Sequence, residues 1–201
     1  MELFSYDRVL HKIKTAFSII ESGQRYCIAI DGCGGSGKST FAEKIATLDE
    51  RVKVIHVDDL YLPSNQRANC KNSVVHIGGS YDLERLLTQI ITPYRQGLPA
   101  RYQKYNWVED ELVEWDEIMP GQLLVIEGVY SLHRQLRGSY ECTIWVDCPR
   151  EERLRRGIER DGEALRDFWE NEWMPLEDEY LITMQPRHCA DYVIDGTNEY
   201  R

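Results

Sequence analysis

The amino-acid sequence predicts an α/β fold, in which one parallel sheet lies between two layers of helices. Five short apolar runs, each typical of a buried strand, alternate with segments of helical periodicity. Such alternation is typical of parallel strands joined by helical crossovers. The apolar runs span residues 26–31, 52–59, 121–130, 141–148 and 190–195.

Between these runs, apolar residues at helical spacing predict the helices that cover the sheet. Gly23 and Gly97 are placed to end the first and third helices, and Pro175 is placed to break the last one. Residues 98–115 are compatible with two short strands or an ordered loop, and residues 60–80 are expected to be irregular. The predicted helices span 4–21, 38–48, 81–97, 150–162 and 163–183.

Composition limits the classes of protein to which the chain can belong. Its 201 residues, 42% of them hydrophobic, suffice for one globular domain. A net charge of −10 argues against a nucleic-acid partner held by a basic face. The sequence shows neither a long apolar stretch nor a secretory signal, so we expect a cytoplasmic protein without a membrane partner. Six scattered cysteines without a CxxC pair favour free thiols over a zinc or redox site.

The segment GCGGSGKST, residues 32–40, carries the strongest functional pattern. It matches GxxxxGK[ST] between an apolar run and a helix, a context that favours a phosphate-binding loop over an ordinary glycine-rich turn. Glycines let backbone N–H groups face phosphate oxygens, and the helix N-terminus adds its positive end. Lys38 is expected to reach the β- and γ-phosphates, and Ser39 to bind Mg²⁺. The predicted nucleotide-binding residues are Gly32, Gly34, Gly35, Ser36, Gly37, Lys38, Ser39 and Thr40.

Carboxylates end two of the apolar runs, at the edge of the sheet where such folds bind ligands. Asp58 is the candidate general base, with Asp59 as the second choice, because a carboxylate there can accept the proton of an attacking hydroxyl. Asp58 can also hold Mg²⁺ through water. Glu127 is the candidate Mg²⁺ ligand beside Ser39. Under the alternative interpretation, these are solvated carboxylates that merely end their strands.

Arg153, Arg156 and Arg160 recur at i, i+3 and i+7, which places them on one face of a predicted helix. Guanidinium groups clustered in this way can clamp a transferring phosphoryl group. The three arginines are therefore candidate catalytic residues beside Lys38. From spacing alone, a solvated face balanced by nearby glutamates is an equal interpretation.

The motifs GCGGSGKST, VDDLY, VIEGVY, ERLRRGIERD and ADYVID follow one another along nearly the whole chain. In this order they resemble the uridine kinase and phosphoribulokinase family of small-molecule kinases. The resemblance implies a P-loop NTPase three-layer sandwich, with a five-stranded parallel sheet of order 2-3-1-4-5 and an arginine-bearing lid. It also implies ATP and Mg²⁺ as cosubstrates and a small-molecule hydroxyl as the phosphate acceptor.

The same resemblance gives roles to single residues. Asp58 matches the catalytic aspartate, Tyr61 the aromatic residue at the acceptor, and Glu127 the glutamate at the metal. The three arginines and Asp161 match the lid helix, whose arginines close over the phosphates.

Domain organisation follows from this assignment. Residues 1–23 are expected to form an amphipathic helix packed on the core, and residues 24–201 a single kinase domain. Within that domain, residues 60–120 would bind the acceptor and residues 150–165 would form the lid. Assembly into a homo-oligomer stays open.

The acceptor region departs from the pattern of uridine kinases. Asp82 is the clear remnant of their aspartate-rich segment, and Gln103 follows Tyr102 where an aspartate is usual. The aromatic residues of this region, interleaved with Arg101 and Lys104, can stack on a planar acceptor, hold an anionic one or form a packed flap. The candidate acceptor residues are Asp58, Tyr61, Asp82, Tyr102, Tyr105 and Trp107. Three further aromatic residues lie at helical spacing and favour core over pocket: Trp169, Trp173 and Tyr180.

Together these features predict an ATP-dependent kinase, with a uridine-like nucleoside as the first candidate acceptor. Pantothenate, a sugar or another small alcohol stays open as the acceptor. The alternative of another class is a non-catalytic, regulatory nucleotide-binding module. The absence of an NKxD motif and the presence of Lys38, Ser39, Asp58 and Glu127 favour the enzyme.

Overall fold

The computed structural model describes residues 3–21, 23–70 and 78–197, with the side chains of 68–70 left out. Within these residues the chain forms β1 (Leu3–Phe4), β2 (Cys27–Asp31), β3 (Val52–His56), β4 (Ala100–Asn106), β5 (Glu111–Ile118), β6 (Leu123–Glu127), β7 (Cys142–Asp147) and β8 (Tyr192–Asp195). Six strands form one parallel sheet in the order β1–β8–β7–β2–β6–β3. Strands β4 and β5 form a separate antiparallel hairpin.

The sheet confirms the predicted fold class. Numbered along the chain, the five predicted strands lie in the expected order 2-3-1-4-5, with β2 at the centre. The expected number of strands was one too few, because β1 adds a sixth at the edge. It pairs in parallel with β8 through Leu3 and Phe4. Two residues are too few to show a period of two, so this strand left no signal in the sequence.

Helices cover both faces of the sheet. They are α1 (Tyr6–Ile19), α2 (Lys38–Ala46), α3 (Ser64–Cys70), α4 (83–96), α5 (Arg150–Asp161), α6 (166–184) and α7 (Pro186–Cys189). Helix α4 contains the π-helical stretch Leu86–Ile91, and α6 contains the π-helical stretch Trp169–Trp173 ahead of the regular helix Met174–Met184. Among the described helices, none is both long and apolar enough to cross a membrane.

Several boundaries differ from the predictions. Strand β3 ends at His56, and a 3₁₀ turn, Val57–Leu60, follows it in place of further strand. The part of 60–80 expected to be irregular contains α3, while residues 71–77 lie outside the described residues. Residues 98–115 belong to the β4–β5 hairpin, so the two-strand alternative is correct. Pro175 lies at the start of the regular segment Met174–Met184, directly after the π-helical stretch, and the helix continues through it.

Both faces of the central strands are apolar, as a sheet buried between helices requires. On one face of β2, Cys27 and Ala29 belong to a core shared with α4 and α6. On the other face, Ile28 and Ile30 pack with residues of α1 and α2, including Phe17 of α1. The alternation places the carboxyl end of β2, and the glycine loop after it, between the two cores.

Helix α6 packs on α5 and on the glycine loop through one aromatic ring. Trp169 is 2% exposed, and a Cβ added at Gly157 of α5 would lie 2.5 Å from its ring. A Cβ at Gly34 of the loop would lie 2.8 Å from the same ring. The ring therefore fills a gap that two glycines leave open.

A buried carboxylate, Asp31, anchors the start of the loop. It accepts hydrogen bonds from the N–H of Gly32 at 2.6 Å and of Leu132 at 2.7 Å, and from the hydroxyl of Tyr180 at 2.7 Å. Burial raises the pKa of Asp31 to about 6, against the lowering effect of these donors. The network joins the end of β2 to the loop after β6 and to α6.

Replacing Gly157 with alanine tests the packing of Trp169. At a solvent-exposed position inside a helix, replacing glycine with alanine stabilises the folded protein by about 1 kcal/mol. At Gly157, however, the added methyl group would overlap the buried ring of Trp169. We expect the free energy of unfolding in urea to fall by about 1–3 kcal/mol. The matched control is G138A, because a Cβ at Gly138 meets nothing within 4 Å. Equal stability of G157A and wild type would show that the ring is not packed as described.

Replacing Tyr180 with phenylalanine tests the Asp31 network. Asp31 has a folded pKa of about 6 against an ordinary 3.8, so its contribution makes the free energy of unfolding fall as pH rises between these values. Loss of the Tyr180 hydroxyl removes a donor to the carboxylate, so we expect a higher pKa of Asp31 in Y180F. The free energy of unfolding should then fall by more as pH rises, and the fall should continue to higher pH. Carbon-13 NMR of the carboxyl group and urea unfolding across this pH range measure both effects.

Y140F is the control for this prediction. The Tyr140 hydroxyl is buried without a hydrogen-bond partner in the described part of the chain, so its removal should leave the pKa of Asp31 unchanged. A Y180F protein with the wild-type Asp31 pKa would argue against the network.

Candidate active site

The loop between β2 and α2 has a backbone conformation that favours glycine. Gly35 and Gly37 have φ angles of +75° and +93°, in the region that other residues rarely adopt. A Cβ at Gly35 would lie 2.5 Å from the carbonyl oxygen of Arg153. The loop therefore packs directly on the backbone of α5, and side chains at these positions are excluded.

The polar groups of the loop are arranged to receive an anion. The N–H groups of Gly35, Gly37, Lys38 and Ser39 make no hydrogen bond within the described residues. The hydroxyl of Ser36 is buried and likewise lacks a partner there. Unpaired donors at a helix N-terminus are the arrangement that binds phosphate oxygens. The loop thus fits the phosphates of a nucleotide.

The first turn of α2 brings the predicted phosphate and metal groups together. Lys38 is 9% exposed and faces a cleft, whereas Ser39 and Thr40 are exposed. The Ser39 hydroxyl donates to Oε2 of Glu127 at 3.2 Å. Because β6 lies beside β2, the end of β6 places Glu127 against the start of α2.

Glu127 is 3% exposed and has partners on both sides. Burial opposes its ionisation, but the hydrogen bond from His56 and the charge of Lys38 hold the pKa of Glu127 below its ordinary value. In return, the hydrogen bond to Glu127 raises the pKa of His56. The carboxylate is therefore kept ionised although it is buried.

The Ser39–Glu127 pair fits a magnesium ion, which prefers hydroxyl and carboxylate oxygens and keeps most ligands as water or phosphate. The described residues hold no cluster of three or more His, Cys, Asp or Glu side chains that could bind a metal by itself. Asp58, also predicted at the metal, makes its hydrogen bond with the Tyr81 hydroxyl at 3.3 Å.

The two neighbouring aspartates of the 3₁₀ turn have different surroundings. Asp58 is exposed and lines the cleft. Asp59 points to the hairpin, where its carboxylate lies 3.4 Å from the Tyr102 hydroxyl and 3.7 Å from Lys104 Nζ. Burial raises the pKa of Asp59 despite the nearby Lys104. Asp58 is thus the aspartate that a ligand can reach.

One cleft of about 1020 Å³ extends from the glycine loop to Asp58. Gly34 and Lys38 lie at its phosphate end, Asp58 lines it, and the wall away from the sheet comes from α5 and α6. Its aromatic lining consists of Tyr61, Tyr81, Trp107, Tyr130, Phe168, Trp169 and Trp173.

The three predicted lid arginines do not share one environment. Arg160 lines the cleft, pairs with Asp161 at 2.7 Å and lies over the ring of Trp169. Arg156 donates to carbonyl oxygens of Gly35 and Gly196. Arg153 is 4% exposed and outside the cleft lining. Only Arg160 of the three faces the cleft in this conformation.

The predicted acceptor residues divide in a similar way. Tyr61 and Trp107 stack with ring centroids 4.5 Å apart and line the cleft. Tyr105 supports them from behind, 5.5 Å from the Tyr61 ring, and is 7% exposed.

Like Tyr105, the predicted acceptor residues Asp82 and Tyr102 do not line the cleft. Asp82 is the N-cap of α4 and accepts from the Arg85 N–H. Tyr102 is fully buried, with its hydroxyl near Asp59 and Asp116.

The aromatic residues of α6 have mixed roles. Tyr180 is fully buried in the core, as the spacing favoured. Trp169 is buried yet one side of its ring faces the cleft, and half-buried Trp173 lines the cleft beside it. A residue on a helix that covers a site can therefore both pack in the core and line the cleft.

Sequence reasoning missed several residues that line or support the cleft. Tyr81 contacts Asp58, and the Arg67 guanidinium lies 4.6 Å from the Tyr61 ring centroid. Asp31 and Glu177 are buried beneath and beside the loop. Only Asp31 had a signal, as a charged residue inside an apolar strand. The others are single polar residues in segments without a functional pattern.

Comparison with known proteins agrees with this geometry. The model of the phosphoribulokinase / uridine kinase family matches residues 27–166. A uridine kinase of Mycoplasma pneumoniae is 25% identical over 194 residues, which cover 90% of each chain. One of Ureaplasma parvum is 26% identical over 167 residues, which cover 77% of this chain and 81% of that one.

A solved structure shares the fold. The structure of a possible uridine kinase from Bacillus stearothermophilus superimposes with a TM-score of 0.70 at 23% identity, over 94% of this chain and 98% of that one. With the glycine loop, Glu127 and helix α5 all inside the matched segment, this chain belongs to the phosphoribulokinase / uridine kinase family of small-molecule kinases.

Proposed function

We propose that the protein transfers the γ-phosphate of ATP to a hydroxyl of a small molecule, with a uridine-like nucleoside as the first candidate acceptor. The observation that carries the proposal is the meeting of three groups at one edge of the sheet. The unpaired loop amides follow β2, Asp58 follows β3, and Glu127 ends β6. Lys38 and Asp58 line one cleft, and Glu127 lies beside its phosphate end, hydrogen-bonded to Ser39 next to Lys38.

The glycine loop and its neighbours bind the nucleotide, which is the phosphate donor. The loop amides and Lys38 hold the phosphates. Ser39 and Glu127 hold a magnesium ion, which, when bound, offsets the negative charge of the phosphates. Arg160, the lid arginine that faces the cleft, approaches the phosphates when the lid closes and excludes water. Arg156 holds α5 against the loop, and Arg153 holds α5 against Glu177 of α6.

Asp58 acts as the general base. It is reachable from the cleft, and the Tyr81 hydroxyl orients its carboxylate. A base in this position accepts the proton of the acceptor hydroxyl as the phosphoryl group is transferred. Asp59 is unsuited to the role because it is committed to Tyr102 and Lys104.

The aromatic wall supports a planar acceptor. Tyr61 and Trp107 present stacked rings at the cleft, and aromatic faces are a common way to bind a nucleobase. The relatives named uridine kinases agree with this choice. Pantothenate, a sugar or another small alcohol is the alternative acceptor. In this scheme residues 60–120 supply most of the acceptor site and residues 150–165 the lid.

D58N tests the role of the base. We expect turnover to fall at least about a hundredfold, since general-base catalysis contributes about 10²–10⁴-fold, while the Kd for ATP stays near that of wild type. Coupled ADP release measures turnover and calorimetry measures ATP binding. The matched change D59N removes the neighbouring carboxylate and should cost less than about tenfold. Wild-type turnover in D58N would exclude Asp58 as the base.

An ADP-release screen tests the acceptor class. The panel contains nucleosides, pantothenate, sugars and amino alcohols, each with ATP and Mg²⁺, and an acceptor-free reaction sets the background. We expect uridine or another pyrimidine nucleoside to give the largest rise. A larger rise with another class would reassign the acceptor. ATP binding without a response to any acceptor would favour the non-catalytic nucleotide-binding module.

A further inference from the structure

A buried carboxylate from outside the glycine loop binds one of the loop amides. Glu177 of α6 is 5% exposed, and its Oε1 accepts the N–H of Gly34 at 2.7 Å. Its other oxygen, Oε2, accepts from Nη1 of Arg153 at 2.7 Å. One carboxylate therefore bridges the loop and the lid helix.

The two donors that Glu177 occupies are groups that suit phosphate. Loop amides of this kind bind anions, and an arginine guanidinium pairs with carboxylate and phosphate oxygens in the same geometry. Gly34, Lys38 and Glu177 all line the same cleft, so the carboxylate sits at the phosphate end and not beneath it. Glu177 thus holds these donors as an anionic ligand would.

We propose that Glu177 competes with the terminal phosphate of the bound nucleotide for Gly34 and Arg153. The proposal rests on nucleotide binding by the loop, which is part of the proposed function. When a polyphosphate enters, its oxygens take over the two donors and Glu177 leaves them. Glu177 acts through these groups and takes no part in the chemistry, so it is a positioning residue.

The displacement links the two ends of the cleft. Trp173 and Leu176 line the same cleft and belong to the same helix as Glu177. Movement of Glu177 away from the loop therefore shifts that wall. Arg153, released from Glu177, then turns from an internal ion pair to the phosphates, as the lid resemblance implies. The acceptor wall takes its working position only after the donor is bound.

The charges of Glu177 and Arg153 predict whether mutation of Glu177 strengthens or weakens phosphate binding. In wild type, the charge of Arg153 is neutralised by Glu177, and a phosphate must displace a charge-assisted hydrogen bond. In E177Q the side chain is neutral, so the phosphate displaces a weaker contact and meets an uncompensated guanidinium. The same unpaired guanidinium lowers the melting temperature of the ligand-free protein.

Calorimetry of the full chain with inorganic tripolyphosphate tests the proposal. We expect E177Q to bind tripolyphosphate about tenfold more tightly than wild type, which corresponds to ~1.4 kcal/mol. The thermal shift on adding tripolyphosphate should also be larger in E177Q. A purely structural role for Glu177 predicts the opposite, because a disordered loop binds more weakly.

E172Q is the matched control, since Glu172 is an exposed carboxylate that lines the same cleft. It should change the Kd by less than about twofold. Equal or weaker binding in E177Q, or the same gain in E172Q, overturns the proposal. If E177Q does not fold, E177D decides, because the shorter side chain cannot span both donors and should tighten binding in the same direction. Tripolyphosphate binding needs no acceptor, so failure of the kinase proposal would be seen separately in the acceptor screen.

Discussion

The backbone contact between the glycine loop and α5 is the constraint on which the rest of the site depends. Gly35 meets the carbonyl oxygen of Arg153 with no side chain between them, and Arg156 extends the contact by donating to the carbonyl of Gly35. A loop this rich in glycine cannot build a core of its own. Its amides stay aimed at the cleft because α5 holds the loop from one side and the end of the sheet from the other.

Buried carboxylates connect this loop to its surroundings. Asp31, Glu127 and Glu177 are each at most 5% exposed, and burial of a charge is costly unless donors satisfy it. Each carboxylate takes its donors from more than one element, including the loop, β3, α5 and α6. The same groups that satisfy these charges therefore position the loop, and the elements around the site respond to one another through them.

The fold and the phosphate end of the site could be predicted because they depend on local patterns. Five of the six strands of the parallel sheet, together with Lys38, Ser39 and Glu127, follow from apolar runs and a fixed spacing, and the structure places them together. The acceptor end depends on contacts between residues far apart in the chain. Tyr102 is near a family position yet turns into the core, because its hydroxyl meets Asp59 and Asp116. Glu177 left no signal because its partners lie 143 and 24 residues away.

The β4–β5 hairpin illustrates how such contacts between distant residues change which side chains are available to an acceptor. Its basic residues favoured an anionic acceptor as one interpretation, but both are already in use. Lys104 lies 3.3 Å from Asp116, and the Arg101 guanidinium lies 4.4 Å from the ring centroid of Trp115. With these charges turned to the hairpin's own side chains, its contribution to the cleft is the aromatic surface of Trp107 against Tyr61. Under the proposed function, stacking on this surface with Asp58 as the polar group would suit a planar neutral acceptor better than a charged one.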